Sequence, residues 1–321
     1  MNFEKSVFDD NADNLKFSNK KIIAENISLK DYGIDINDFK EEANAIEDLR
    51  KLKSSDNWKN VRSDDNFNII QKDYSFGKRN IYVPKKDSNN VDLQSSRGVG
   101  FDDNETLEST IKKYLANTEN MDEPNILRIA EIENIEKHIQ QEEVFINLLK
   151  TAKDEIDKTA LRKAFLEKTD KFTEIGFRVP SLLNFFKKLN YETLGYDINP
   201  LSISICKKLG WNVKAFDLNN ENSELEIKEG TLIVCYHVLE HVSDPLAALK
   251  NIAKQSPTGV KLHFEIPIEP GIPRLQFGHM FPFEKGDLQK MLMEAGLIPV
   301  SFSNATHPGG PEIERILAIS R

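Results

Sequence analysis

Between residues 237 and 241 the chain places two histidines and a glutamate, as His237-Val238-Leu239-Glu240-His241. Imidazoles and a carboxylate this close can move protons near neutral pH or hold a divalent ion. H-x-x-E-H is also the spacing at which one helix face presents two histidines to zinc, with a glutamate as base. That use requires a helix through the motif. Here "TLIVCY" (231–236) runs into it, a continuous apolar stretch that reads as a strand covered on both faces. The next helix begins only at Asp244-Pro245, an N-cap followed by proline at the first helical position. The motif therefore straddles a strand end and a loop, which removes the zinc-hydrolase geometry.

The elements around it alternate. "KFTEIG", "ETLGYD", "WNVKAFD", "TLIVCY" and "GVKLHFEIP" read as strands. Helices over 180–189, 200–209 and from 244 onward lie between them. A helix over 284–295 is closed by Gly296, and "LIPVSFS" and "IERILAIS" are two final strands. This predicts an α/β fold, a Rossmann-like, doubly wound, mostly parallel sheet of seven strands. Ligands of such sheets sit beyond the carboxyl ends of the strands. Those ends carry Glu174-Ile175-Gly176, Asp197, Asp217 and Tyr236-His237. An acid about 20 residues after a glycine turn is placed to accept both hydroxyls of a ribose, and an acid after the third strand can accept from an adenine amino group.

With these residues the sequence resembles the class I methyltransferases that use S-adenosyl-L-methionine (SAM), from Phe172 to the end of the chain. It is most similar to small-molecule and sugar O-methyltransferases with a VLEHV-DP loop. The stretches that carry the resemblance are "TEIG", "LGYDINPLSISICKKLGW", "FDL", "LIVCYHVLEHVSDPLAALKNI" and "FGHMFPFEKGDLQKMLMEAGL", in the family's order and spacing. The resemblance implies that Glu174 and Gly176 belong to the first SAM motif and that Asp197 binds the ribose. It also implies that Asp217 and Leu218 contact the adenine and that Tyr236 and His237 wall the methionine moiety. S-adenosyl-L-homocysteine (SAH) would be the product. One departure stands out: the family's D/E-x-G-x-G-x-G loop reads Glu174-Ile-Gly176-Phe-Arg178-Val-Pro180 here. Arg178 replaces the second glycine, and it can pair with the SAM carboxylate or block the pocket.

A hydroxyl acceptor needs a base. His241 and His279 are the candidates, with Glu240 orienting either one. Small-RNA 3′-terminal 2′-O-methyltransferases and some quinone-pathway O-methyltransferases carry E-x-x-E-H plus a distal histidine at this place, and the metal there orients the hydroxyl. His237, Glu240, His241 and His279 resemble that set with histidine for the first glutamate. A divalent metal is thus an alternative to the metal-free base, which is the default, and no ligand is assigned to one. His263 alternates within a strand and reads as structural; His138 and His307 receive no role. The Pro-rich stretch after the fifth strand offers Ile272, Arg274, Phe277 and Phe281 as linings of an acceptor pocket.

The first half differs in character. Of the 43 Lys+Arg and 52 Asp+Glu in the 321 residues, 16 and 17 fall in 171–321, which leaves 27 and 35 for 1–170, a net of −8. An acidic half disfavours a nucleic-acid partner, because counterion release needs Lys and Arg. Residues 1–30 read as a flexible acidic arm and 31–152 as a mainly helical accessory or substrate-capping domain, with helices over 35–52, from 104 and from Pro124 through Leu149; a further helix over 153–168 follows it. Residues 153–321 are the methyltransferase domain. "NIYVP" (80–84) is the one short strand expected before it. The first half can also pair two copies into a homodimer. The two cysteines lie in apolar surroundings, and no apolar run approaches a membrane span, so a cytoplasmic location is expected. The reading is an SAM-dependent O-methyltransferase acting on a small molecule, a sugar or sugar nucleotide. Its rival is a methyltransferase-like scaffold subunit that no longer catalyses.

Overall fold

The computed structural model describes residues 26–39, 67–84, some of those between 108 and 137, and 140–321 apart from 275–277 and 307–310. The arm before residue 26, most of the expected helix over 35–52, His138, Phe277 and His307 lie outside the described residues. Two strands, β1 (Phe67–Tyr74) and β2 (Gly77–Pro84), form an antiparallel hairpin. Two helices follow the partly described stretch, α1 (Glu142–Thr151) and α2 (Glu155–Leu166). The helix expected to run unbroken from Pro124 to Leu149 is interrupted. Gln141 is extended and caps α1, whose first turn carries Glu142 and Glu143, acids that a helix N-terminus favours.

The main sheet holds β3 (Lys171–Ile175), β4 (Glu192–Asp197), β5 (Val213–Ala215), β6 (Thr231–Tyr236), β7 (Lys261–Pro267), β8 (Leu297–Thr306) and β9 (Glu312–Ser320), in the order β5-β4-β3-β6-β7-β9-β8. Only β9 runs against its neighbours. Helices α3 (Ser181–Lys188), α4 (Pro200–Lys208), α5 (Pro245–Gln255) and α6 (Asp287–Glu294) alternate with the strands. Every residue of β6 and of β7 is buried, as strands covered on both faces must be. Asp244 caps α5 by accepting from the Ala247 N–H, with Pro245 at the first helical position. The chain winds outward through β3, β4 and β5, then returns beside β3 to lay down β6. The switch point therefore falls between β3 and β6, and the crevice for a ligand opens at their carboxyl ends.

The hairpin was not foreseen as such, since β1 lacks clean alternation: Ile69 and Ile70 are consecutive and both about half exposed. It is nonetheless firmly docked. Arg79 donates to both carboxylate oxygens of the buried Asp287, at 2.8 and 2.7 Å, and to Glu284 at 3.0 Å. Lys72 pairs with Asp244. Ile81 lies in the same core as Leu262, Phe264 and Met291, and the Tyr82 N–H donates to the Met280 carbonyl. Among the described residues no helix is long and apolar enough to cross a membrane.

Candidate functional site

On one side of the switch point the chain leaves β3 through Gly176 (φ +78°) and Arg178 (φ +45°) and enters α3 after Pro180. Glycine adopts such angles without a Cβ clash. Arg178 holds the backbone shape of the glycine that the family pattern puts there, with its side chain exposed. What holds it is Asp197 at the end of β4. Its Oδ2 accepts from the Arg178 N–H and its Oδ1 from the Asn199 N–H, each at 2.8 Å. Asp197 is buried, and burial pushes its carboxyl up against the lowering effect of these amides. Glu174 is buried within β3 one residue before its end. Asp217 stands two residues beyond β5 in a turn, accepting from the Asn219 N–H at 2.9 Å, and Leu218 is buried in the core.

The two sides meet at Gly176. A Cβ added there would lie 2.3 Å from Val238 Cγ2, so the loop after β6 packs directly over the glycine turn. From that loop rises the cluster. Glu240, in a single 3-10 turn (Leu239–His241), is fully buried. One potential ligand atom from each of Glu240, His241 and His279 lies within 4.8 Å of the others. The His241 and His279 rings stand edge to face with centroids 4.8 Å apart. His279 comes from the loop after β7, which the Met280 and Phe281 N–H groups fix by donating to the Glu240 carbonyl.

His237 (φ +54°) is gripped between two carboxylates, Nδ1 3.2 Å from Glu240 and Nε2 2.7 Å from Glu265. Burial alone would lower its pKa; the two acids outweigh it and raise it to about 9. Burial likewise pushes the Glu240 carboxyl up, but the His237 hydrogen bond and the charges of His241, His237 and His279 hold it below the usual range. Arg315 of β9 pairs with the other oxygen of Glu265. At the opposite end Glu269 accepts from His279 Nδ1 at 2.8 Å and binds Arg274 at 3.1 Å.

The structure thus brings together Glu240, His241, His279 and His237, with Gly176 and Val238 beside them. Glu265, Glu269 and Arg315 are functional candidates that the sequence reading missed. A signal was present: "HFEIPIE" sets acids into an apolar strand, where an unpaired carboxylate is almost never buried. Two other residues make packing contacts. Phe281 is fully buried in the core beside Phe283 and Tyr74, not in an acceptor pocket, whereas Ile272 is exposed. Tyr236 turns its hydroxyl to His263 Nδ1 at 2.5 Å within the sheet's covered face.

A seven-stranded sheet of this order, with a glycine turn and a buried acid at its switch point, defines a Rossmann-like fold of the class I SAM-dependent methyltransferase type. Residues 147–301 match the family described as methyltransferase domain. Solved structures that resemble it include magnesium protoporphyrin IX methyltransferase from Synechocystis PCC 6803 with bound SAM, at 15% identity over 52% of this chain and 78% of that one, TM-score 0.38. An SAM-dependent methyltransferase from Aquifex aeolicus has 14% identity over 51% and 89%, TM-score 0.36. One from Mesorhizobium loti has 12% identity over 51% and 97%, TM-score 0.39. No curated protein sequence matches the chain.

Proposed function

We propose that the protein transfers a methyl group from SAM to a hydroxyl oxygen of a small polar acceptor, a sugar or sugar nucleotide. The observation that carries this is the convergence of Glu240, His241 and His279 within 4.8 Å at the strand ends where the loop after β6 covers Gly176. SAM would lie along the β3 and β4 ends, its ribose on Asp197. The acceptor would enter over the loops after β6 and β7. Its oxygen attacks the methyl carbon in line; the O–C bond forms as the C–S bond breaks, and the sulfur leaves with the electron pair as SAH. The hydroxyl proton passes to an imidazole. His279 suits that task, because Glu269 on its Nδ1 fixes the ring and stabilises the imidazolium. Residues 31–152 would form the cap of this site, with the docked hairpin as their anchor.

Calorimetric titration with SAH tests the reading. Binding that is lost in Asp197→Ala, followed by SAH release in the presence of a sugar acceptor, is the expected result. No binding at millimolar-range SAH, with the protein folded, would leave the non-catalytic scaffold as the better account.

A further inference from the structure

We propose that Glu240, His241 and His279 form a three-ligand site for a divalent ion of the Zn2+ or Co2+ type, and that His237 is excluded from it. The inference deepens the proposed function, since it concerns the same site, but metal binding stands or falls independently of methyl transfer.

Four features point to an ion. First, the ligand atoms already lie within 4.8 Å of one another, and a tetrahedral zinc site needs ligand separations of about 3.4 Å, within reach of small side-chain rotations. Second, Glu240 is fully buried and its Oε2 makes no hydrogen bond. A buried carboxylate oxygen left in this state is costly, and a cation facing it removes the cost. Third, both histidines have the outer ring nitrogen committed to an acceptor. His241 Nδ1 lies 3.0 Å from the Gly278 carbonyl and His279 Nδ1 lies 2.8 Å from Glu269. A carbonyl or carboxylate can only accept, so Nδ1 carries the hydrogen and the lone pair resides on Nε2. Metal-ligating histidines are oriented in this way by a carbonyl or carboxylate partner. Fourth, His237 has both nitrogens against carboxylate oxygens, at 3.2 and 2.7 Å. Both of its ring nitrogens are thereby engaged by carboxylates.

The donor set then selects the ion. Two imidazoles and one carboxylate suit zinc and its neighbours, whereas Mg2+ prefers an octahedron of oxygens. Three protein ligands leave a position for the acceptor oxygen. A bound ion would acidify that hydroxyl, a task that otherwise falls to an imidazole.

The test uses the full chain, stripped with a chelator and titrated with Co2+. Visible d–d absorption that saturates at one equivalent, is displaced by Zn2+ and resists a large excess of Mg2+ is the expected result. Glu240→Gln, His241→Gln and His279→Gln should each weaken Co2+ binding by at least about tenfold. Glu269→Gln, which only releases the His279 ring, should weaken it by about tenfold. His237→Gln should keep one equivalent. Circular dichroism establishes that each variant is folded. Absence of Co2+ uptake, affinity unchanged in both His279→Gln and Glu240→Gln, or displacement by Mg2+ overturns the site. Loss of binding in His237→Gln overturns the exclusion of that residue. SAH binding measured on the same samples separates the two readings: Co2+ uptake without SAH binding sinks methyl transfer alone, and SAH binding without Co2+ uptake sinks the metal alone.

Discussion

Two sides of one crevice are built from different materials. After β3 the working groups are backbone amides, those of Arg178 and Asn199, collected by the single acid Asp197. After β6 and β7 they are side chains, three histidines and three glutamates, in a chain of contacts that runs from Arg315 to Arg274. The difference shows in what each side tolerates. A site made of amides depends on φ and ψ, so arginine can stand for glycine at 178 as long as the turn is held. A site made of buried ions depends on every member, because removing one charge strands the next.

The sharpest way to break this comparison is Glu265→Ala. It leaves His237 and Arg315 without their shared carboxylate in the sheet interior. We expect a loss of about 3–5 kcal/mol in denaturant unfolding. A loss under 1 kcal/mol would mean that water reaches these ions and that the side after β6 and β7 is not the fragile one. Asp197→Ala is the matching cut on the other side. Two backbone N–H groups lose their acceptor, at about 1–1.5 kcal/mol each, so about 2–3 kcal/mol should be lost together with SAH binding. An Asp197 variant that costs more than the Glu265 variant would reverse the contrast.

The side after β3 and β4 was the more legible in the sequence. Acids that end strands and a glycine after the first strand follow from local pattern, and the strand order follows from alternation and crossover rules. Asp217 lay two residues past its strand because β5 is only Val213–Ala215. After β6 and β7, His237, Glu240, His241 and His279 were legible as residue types. Their partners were not, since Glu265, Glu269 and Arg315 act through tertiary pairing between β7, its loop and β9. The hairpin was illegible for a related reason. It is held by ions and aromatics from distant elements (Arg79 of β2 on Asp287, Tyr74 of β1 on Phe281) and not by an alternating apolar face.

A pH measurement probes the border between the sides, at His263. It lies fully buried behind Tyr236, and burial, with Arg315 opposing the proton and Glu265 favouring it, lowers its pKa to about 4. The unfolded chain takes up this proton near pH 6.5, whereas the folded chain resists it. The stability is therefore complete above about pH 6.5 and lost as the pH falls toward 4, by a few kcal/mol at full extent. Thermal unfolding should fall more steeply over this window in the native chain than in His263→Gln. Equal slopes would show that His263 gains a proton in the fold.

The smallest effect separates backbone from side chain at the glycine turn itself. Arg178 sits at φ +45°, where a residue with a Cβ pays about 1 kcal/mol. Arg178→Gly removes that strain, although glycine also gives the unfolded chain more freedom, worth about half to one kcal/mol in the opposite direction. If the turn is purely a backbone device, the two terms nearly cancel. Unfolding stability should then change by less than about 1 kcal/mol, with SAH affinity held or improved. If the exposed guanidinium pairs with the SAM carboxylate, affinity should instead drop by about tenfold or more, the weight of one charge-assisted contact. The turn would then have exchanged a glycine for a charge, and the cofactor side would share the chemistry of its neighbour.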